Sequence, residues 1–231
     1  MQYRTFGRLD FRPSALGFGA MRLPVQRGED GKPDFKRIDD DLATAMLHRA
    51  VDGGVNYVDT AWMYHEQNSE TWLGRALQGG WRERVRLATK MPVWDVERPG
   101  DFDRILGVQL ERLQTDHIDF YLLHSLDADH WRCVVEQGQL ASAERALADG
   151  RIGHLGFSFH GTPEDFETIL AATDLWEFVQ IQYNYMDEEY QAGRRGLETA
   201  AAKGLGVIVM EPVRGGALAG SVPPQVQAVW D

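Results

Sequence analysis

The stretch YVDTAWMYHEQNSETWLG, residues 57–74, carries the feature on which the fold assignment depends. Its first residues continue a β-branched and aromatic run that begins at Val55. That run ends at Asp59, shortly before a helical pattern that begins near Ser69. A charged group at the end of a buried strand is costly unless another group pairs with it. The rest of the sequence must therefore supply a partner for Asp59.

The composition indicates a single globular domain over residues 1–231. The chain is 43% hydrophobic and 26% charged, which is enough for one sizeable core. Its 24 Lys and Arg against 35 Asp and Glu give a net charge of −11, which argues against a nucleic-acid or anionic-membrane partner. No apolar run reaches the roughly 18 to 20 residues of a membrane span, and we find no secretory signal.

The cysteine content points to a reducing compartment. Cys133 is the only cysteine, so the sequence excludes an internal disulfide and a cysteine cage for zinc or an iron–sulfur cluster. We expect a cytoplasmic protein in which Cys133 is buried and inert.

Apolar runs and amphipathic helical patterns alternate from Leu16 onward, which is typical of repeated βα units. The predicted strands are 16–20, 55–59, 85–90, 118–124, 152–158, 178–183 and 206–211. The predicted helices are 39–53, 69–79, 101–114, 136–150, 163–172 and 188–204. A hairpin around the GRLD turn is expected to cap one end of the barrel, and 21–37 is predicted to be the longest irregular stretch.

Six of the strands end at, or just before, a side chain of interest. These residues are Asp59, Lys90, His124, Ser158, Gln180 and Met210. Most of them are separated by about 30 residues, the length of one βα unit. Right-handed crossovers make such strands parallel and collect their carboxyl ends on one rim, where (β/α)₈ barrels carry their active sites. Lys90, at the end of the next strand, is the expected partner of Asp59.

A Tyr, Lys, Asp and His set at one rim suits proton transfer to an oxygen. The pKa of a free tyrosine is too high for an efficient acid at neutral pH, and we expect a Lys90 ammonium to lower that of Tyr64. Asp59 would hold Lys90 charged, and His124 would orient a carbonyl oxygen or share the proton. Side chains supply no hydride, so this site needs a nicotinamide cofactor.

These residues lie in motifs through which the chain resembles the aldo-keto reductase family. The matching segments, which cover nearly the whole chain in the family's order, are LGFGAMRLP, VDTAWMYHEQNSETWLGRAL, LATK, DFYLLH, IGHLGFSFHG, FVQIQYN and VIVMEPVRGG. The resemblance implies reversible NADPH-dependent reduction of an aldehyde or ketone to an alcohol. Tyr64 would be the acid, Lys90 and Asp59 would tune it, and His124 would place the substrate oxygen.

The resemblance also implies the cofactor-binding residues. NADPH is expected, with NADH open as an alternative, and Ser158 and Gln180 would hold the nicotinamide carboxamide. The expected cofactor-binding set is Gly19, Ala20, Met21, Asp59, Ser158, Gln180, Met210, Pro212, Arg214, Gly215 and Gly216. No GxGxxG fingerprint supports a Rossmann mode of binding.

Some positions depart from the family pattern. Many members have Tyr at the position of Met210, and Asn commonly follows the residue that matches Ser158, where this chain has Phe159. GAMRLP and MEPVRGG resemble a branch with a C-terminal ferredoxin-like iron–sulfur tail, absent here. We therefore expect a (β/α)₈ TIM-barrel type fold truncated after the seventh strand, with an N-terminal β-hairpin cap and weak NADPH binding.

Two other functions stay open at this point. A metal-dependent hydrolase on the same barrel would use His65, His124, His160 and Asp59 as ligands, although the first strand lacks the close His pair that such a site favours. A non-enzymatic nucleotide-sensing or scaffold protein would keep the fold for binding alone. The sequence names neither the carbonyl substrate nor the oligomeric state.

Three further residues have two readings each. Trp62 and Trp94 either wall an apolar substrate pocket or pack at the rim. His160 is interpreted as structural, with contact to the substrate as the alternative.

Overall fold

The computed structural model describes residues 1–220 and 222–230. The strands found there are β1 (Phe18–Gly19), β2 (Val25–Arg27), β3 (Pro33–Ile38), β4 (Tyr57–Asp59), β5 (Arg86–Met91), β6 (Ile118–Leu126), β7 (Ile152–Phe159), β8 (Phe178–Gln182) and β9 (Gly206–Met210). The α-helices are α1 (Asp40–Asp52), α2 (Ser69–Ala76), α3 (Asp101–Leu113), α4 (Ala128–Glu136), α5 (Gln139–Ala148), α6 (Pro163–Ala171), α7 (Gly193–Ala202), α8 (Ala217–Gly220) and α9 (Pro224–Trp230). In this part of the chain no helix combines the length and the apolar character needed to cross a membrane.

Seven parallel strands form one curved sheet in the order β1-β4-β5-β6-β7-β8-β9. All seven predicted strands are present, with helices between them, so the predicted (β/α)₈ fold class is confirmed, with seven barrel strands among the described residues. The curvature is evident from one contact. Gln180 on β8 donates from Nε2 to Asp59 Oδ2 on β4 at 3.2 Å, although three strands separate them in the sheet.

An aromatic layer fills the interior below the strand ends. Tyr57, Phe120 and Phe178 come from alternate strands, with ring centroids 5.5 Å apart for Tyr57 and Phe120 and 5.1 Å for Phe120 and Phe178. Alternate strands supply the side chains of one layer in barrels of this type. The barrel is therefore a packed core up to the level of the site residues.

The N-terminal hairpin closes the opposite end of this core. It is built from isolated antiparallel bridges, one of them between Phe6 and Leu9. The Phe6 ring is 2% exposed and packs on the interior aromatic layer, and the Arg8 N–H donates to the Gly204 carbonyl at 2.8 Å. The predicted hairpin cap is confirmed.

One local prediction was wrong, and one helix was missed. The stretch predicted to be irregular, 21–37, contains most of an antiparallel ribbon in which β2 pairs with β3. Its mostly exposed residues lack the alternation of apolar and polar side chains that marks a half-buried strand. The helix predicted over 136–150 is α5, which begins only at Gln139 because Gly138 before it adopts φ +64°, and helix α4 was not predicted.

Helix α2 packs very closely on α3. A Cβ atom on Gly74 would lie 2.3 Å from the Arg112 carbonyl oxygen, whereas one on Gly107 in α3 would meet no atom within 4 Å. A side chain at position 74 would therefore push apart the two helices that flank β5.

We predict that Gly74→Ala lowers the free energy of unfolding by about 1 to 3 kcal/mol through overpacking. Gly107→Ala, the matched control, should raise it by up to about 1 kcal/mol, because Ala is the better helix former. Urea denaturation of both variants measures the difference. Equal effects of the two substitutions would contradict the close packing of α2 on α3.

Candidate active site

Each site side chain lies two residues after a side chain that points into the barrel core. Successive residues of a strand alternate between its faces, so a side chain two positions past a core residue also points inward, one level higher. The core and site residues of these pairs are Tyr57 and Asp59, Ala88 and Lys90, Leu122 and His124, and Phe178 and Gln180. The carboxyl ends of the strands therefore bring the predicted polar residues to one rim.

Lys90 is the centre of the cluster, and its side chain is 1% exposed. Its Nζ donates to Asp59 Oδ1 at 2.6 Å, to the Thr60 carbonyl at 2.7 Å and to the Tyr64 hydroxyl oxygen at 3.2 Å. An ammonium has three N–H groups, so all of them are used. The predicted pairing of Asp59 with Lys90 is confirmed.

Charge pairing keeps Lys90 protonated despite its burial. Burial lowers the pKa of Lys90, but Asp59 and Tyr64 together raise it by more, and the pKa ends above its ordinary value. The second carboxylate oxygen of Asp59 accepts from Gln180 at 3.2 Å. Both Asp59 oxygens are thus engaged within the cluster.

The pKa of Tyr64 departs from the sequence-based expectation. Burial raises it, Lys90 lowers it and the Asp59 charge raises it, with a net increase over the ordinary value. The expected lowering by Lys90 is present, but the expected net direction was wrong, because desolvation of the phenolate outweighs the ammonium. Tyr64 therefore holds its proton at neutral pH.

His124 stands across from Tyr64 and is 6% exposed. The ring centroids of these two residues lie 6.1 Å apart, and the Trp94 ring lies 5.1 Å from His124. Burial, followed by Lys90 and two other histidines, holds the pKa of His124 well below its ordinary value, so the ring is neutral. Its buried Nδ1 has no hydrogen-bond partner among the described residues.

Ser158 and Gln180 lie side by side in the register of β7 and β8. Ser158 Oγ accepts from the Ser125 N–H at 2.8 Å, and Gln180 is bonded to Asp59. Both side chains are at least 95% buried, so their polar atoms at this rim are fixed by the fold.

Residues after β1 flank Asp59 on its other side. Gly19 is the register partner of Asp59, and the Ala20 N–H donates to the Asp59 carbonyl at 2.8 Å. Gly19 and Met21 are exposed, and a Cβ on Gly19 would meet no atom within 4 Å. This segment leaves open space next to the cluster.

The segment after β9 forms the far end of the rim. Met210 pairs in register with Gln182 at the end of β8, and Pro212 is exposed two residues later. Gly215 and Gly216 adopt positive φ values of +65° and +102°, in a left-handed turn that glycine permits without strain.

Two arginines stand at this glycine turn. Arg214 forms an ion pair with Asp187 at 3.0 Å. The Arg22 guanidinium lies so close to Gly215 that a Cβ there would approach it to 2.5 Å. Sequence analysis missed Arg22, and its only signal was its position directly after Met21, next to the candidate cofactor segment.

A buried polar network behind β5 was also missed. Glu70 is 0% exposed and accepts from Thr89 and Gln109 at 2.6 Å each and from Arg112 at 3.2 Å. Gln109 also donates to the Lys90 carbonyl at 3.0 Å. Burial raises the pKa of Glu70, and its hydrogen bonds only partly offset this effect. The network fixes the backbone that carries the Lys90 side chain.

The remaining candidates, Trp62, Trp94 and His160, have different neighbours. The Trp62 ring lies 4.0 Å from the Arg112 guanidinium carbon, on the helix side of the rim, whereas Trp94 stands beside His124. His160 shares a hydrogen bond with Gln191 at 3.2 Å.

The described residues contain no ligand set for the metal-dependent hydrolase that the sequence left open. Over 1–220 and 222–230 no three or more His, Cys, Asp or Glu side chains are grouped to hold a metal ion. His65, one of its four ligands, has both ring nitrogens bonded to backbone groups of Leu23 and Phe35.

Comparison with known proteins identifies related sequences. The family model described as Aldo/keto reductase family matches residues 15–227. The "Uncharacterized oxidoreductase YrpG" of Bacillus subtilis (strain 168) is 31% identical over 244 residues, covering 95% of this chain and 69% of that protein. The human "Aflatoxin B1 aldehyde reductase member 2" is 30% identical over 195 residues, covering 80% of this chain and 52% of that protein.

A solved structure agrees with these matches. The "aldo-keto reductase AKR11C1 from Bacillus halodurans (holo form)" superposes with a TM-score of 0.78 at 26% identity, covering 97% of this chain and 71% of that one.

We predict that Lys90→Met lowers the free energy of unfolding by about 3 to 5 kcal/mol, because it leaves the Asp59 carboxylate in the cluster without its counterion. Lys32→Met removes an ion pair whose lysine is 81% exposed and should cost no more than about 1 kcal/mol. Denaturant titration of both variants checks this. Equal losses would argue against a special role for the Lys90 pair.

The raised pKa of Glu70 gives a prediction with a defined sign. The folded protein binds an additional proton between the unfolded and folded pKa values, so the free energy of unfolding falls as pH rises through that interval. The stability of the wild type relative to Glu70→Gln should therefore decrease as pH rises above about 4, the ordinary range of a glutamate. Glu66→Gln, which removes an exposed carboxylate outside the network, is the control. If the stability of the wild type relative to Glu70→Gln instead increased with pH, the raised pKa of Glu70 would be refuted.

Proposed function

The chain belongs to the aldo/keto reductase family, and from this premise we propose that it catalyses NADPH-dependent reduction of an aldehyde or ketone to an alcohol. Membership makes it an oxidoreductase, whereas the carbonyl substrate, the use of NADPH and the roles of individual residues belong to the proposal. We also propose that residues 1–231 form one reductase domain and that the protein is cytoplasmic.

The single observation that carries the proposal is the hydrogen bond from Lys90 to Tyr64. The Tyr64 oxygen accepts from Nζ at 3.2 Å, so the phenol proton is free to be donated to another acceptor. A substrate carbonyl oxygen placed between Tyr64 and His124 would receive it. As the phenolate forms, the neighbouring ammonium stabilises the developing charge.

His124 suits the positioning of that oxygen. Its ring is neutral, so one nitrogen carries a proton that can be donated to a carbonyl without adding a second positive charge beside Lys90. Trp94 beside it gives this part of the rim an apolar surface that favours an aldehyde or ketone with an apolar substituent.

The residues at the rim fit a nicotinamide dinucleotide. Gly19 and Gly216 leave open space, since a Cβ on either would meet no atom within 4 Å. Arg22 and Arg214 are the cations of this region that suit a pyrophosphate, and Gln180 presents a buried amide for a carboxamide. The bound cofactor would supply the hydride that no side chain provides.

Binding and turnover measurements distinguish a reductase from a nucleotide sensor. A nucleotide sensor would bind NADPH without oxidising it in the presence of any aldehyde or ketone of a broad panel. The intact cluster of Asp59, Tyr64, Lys90 and His124 favours turnover instead, because a protein that only binds a nucleotide needs no poised acid.

The central test is Tyr64→Phe. We predict that it lowers carbonyl reduction by roughly 10²- to 10⁴-fold, the usual contribution of a general acid. NADPH affinity, measured by fluorescence titration, should change less than about threefold, since the Tyr64 oxygen bonds to Lys90 and not to the candidate cofactor-binding residues.

Tyr57→Phe is the matched control for this test. Tyr57 lies in the layer below, and its buried hydroxyl has no hydrogen-bond partner in the described chain. Its loss should leave turnover unchanged and stability equal or higher. Full turnover in Tyr64→Phe would exclude Tyr64 as the acid. Loss of turnover and NADPH binding together would assign it a structural role.

A further inference from the structure

The turn between Tyr64 and helix α2 has an unusual backbone. His65, Glu66 and Gln67 adopt φ values of +50°, +50° and +71°, a region that L-residues other than glycine rarely occupy. A run of such residues persists only where surrounding contacts hold it. The contacts of this turn therefore determine where Tyr64 lies.

The His65 ring makes the principal contacts, and the residue is 6% exposed. Nδ1 lies 3.1 Å from the Phe35 carbonyl oxygen, and the Leu23 N–H donates to Nε2 at 3.1 Å. A carbonyl only accepts and an amide N–H only donates, so these two partners assign the tautomer. The ring is neutral, with its proton on Nδ1.

These two bonds join three parts of the protein. Phe35 lies in β3, Leu23 lies in the segment between β1 and β2, and His65 directly follows Tyr64. Asn68, at the start of α2, adds a longer contact from its side-chain amide to the Lys36 carbonyl at 3.3 Å. The ribbon is thus tied to the turn that carries the candidate acid and to the segment after Gly19.

A second proton on His65 would disrupt this arrangement. An N–H on Nε2 would face the Leu23 N–H, and the bond between them would be lost. Burial lowers the pKa of His65, although the Phe35 carbonyl and then the Met21 carbonyl raise it, and the net change is downward. The neutral ring is therefore the ordinary state.

The charged groups near the ring come from the turn, the ribbon and the segment after β1. Glu66 pairs with Lys36 at 3.1 Å. Asp34 accepts the Lys36 N–H, and the Arg22 guanidinium lies at Gly215. None of these groups forms an ion pair with His65, so its state is governed by burial and by the carbonyls.

We propose that His65 is a positioning residue for the reductase reaction, whose neutral ring holds the Tyr64 turn and the Leu23 segment together. The proposal rests on the proposed function, because the two parts that it joins carry the acid and the candidate cofactor residues. Tyr64 and the cofactor segment would lose their common alignment when the Leu23 bond breaks.

Two substitutions separate the two bonds of the ring. The amide of His65→Asn reaches only to the position of Nδ1 and keeps the Phe35 bond, whereas that of His65→Gln reaches to Nε2 and keeps the Leu23 bond. We expect His65→Asn to lower kcat by roughly 10- to 100-fold through misplacement of the acid, and His65→Gln by less than about threefold. KM should change little in either.

Hydrogen exchange of the Leu23 amide, measured on the free protein, reports directly on its hydrogen bond to His65. In the wild type this amide should be protected at neutral pH and lose protection, after correction for intrinsic rates, as pH falls through the pKa of His65. His65→Asn should lack the protection at every pH, and His65→Gln should keep it at every pH. The control is His117→Gln, which replaces an exposed histidine directly before β6. Its Leu23 amide should exchange as in the wild type.

The outcomes decide between positioning and a purely structural role. Equal kcat in the Asn and Gln variants, or a protected Leu23 amide in His65→Asn, would overturn the proposal. A wild-type kcat that falls as His65 gains its second proton, and that no longer falls in this way in His65→Gln, would support it. A wild-type protein that exchanges as expected but reduces no carbonyl compound would instead overturn the proposed function.

Discussion

The buried ammonium of Lys90 is the constraint on which the site depends. An unpaired charge at this depth would be strongly unfavourable, and it is held only because Asp59, the Thr60 carbonyl and Tyr64 accept all three of its N–H groups. This arrangement fixes the spacing of β4 and β5, because the ion pair joins their ends. It also decides the role of the Tyr64 oxygen, which must accept from Lys90 and can donate only away from it.

Much of the site was predictable because strand geometry converts sequence position into depth. A two-residue step along a parallel strand moves an inward side chain from the apolar layer to the rim, so Asp59 and Lys90 were recognisable as polar residues at the ends of apolar runs. The same reasoning predicted that they pair. Seven strands and the hairpin cap followed from the same alternation of short apolar runs and helical patterns.

The features that were missed depend on contacts between distant segments. Nothing local in the sequence predicts that Gln180 bonds to Asp59 across the barrel, that Glu70 bonds to Gln109 behind β5, or that His65 bonds to the ribbon. The direction of the Tyr64 pKa shift was predicted wrongly for a related reason. The direction of the shift is set by the competition of burial and the Asp59 charge with the Lys90 ammonium, and the extent of burial becomes known only with the packed structure.

Exposure divides the charged groups of the rim into two sets with different tasks. The charge of Lys90 is balanced by that of Asp59, so the buried pair has no net charge and offers little attraction to an anion. Arg22 and Arg214 are exposed at the glycine turn, on a chain whose net charge is −11. Arg214 is paired with Asp187, so under the proposed function Arg22 must supply most of the local attraction for the dinucleotide phosphates. Salt screens exposed charges far more than buried pairs, so under the same proposal ionic strength acts on cofactor capture and leaves the buried pair of Asp59 and Lys90 intact.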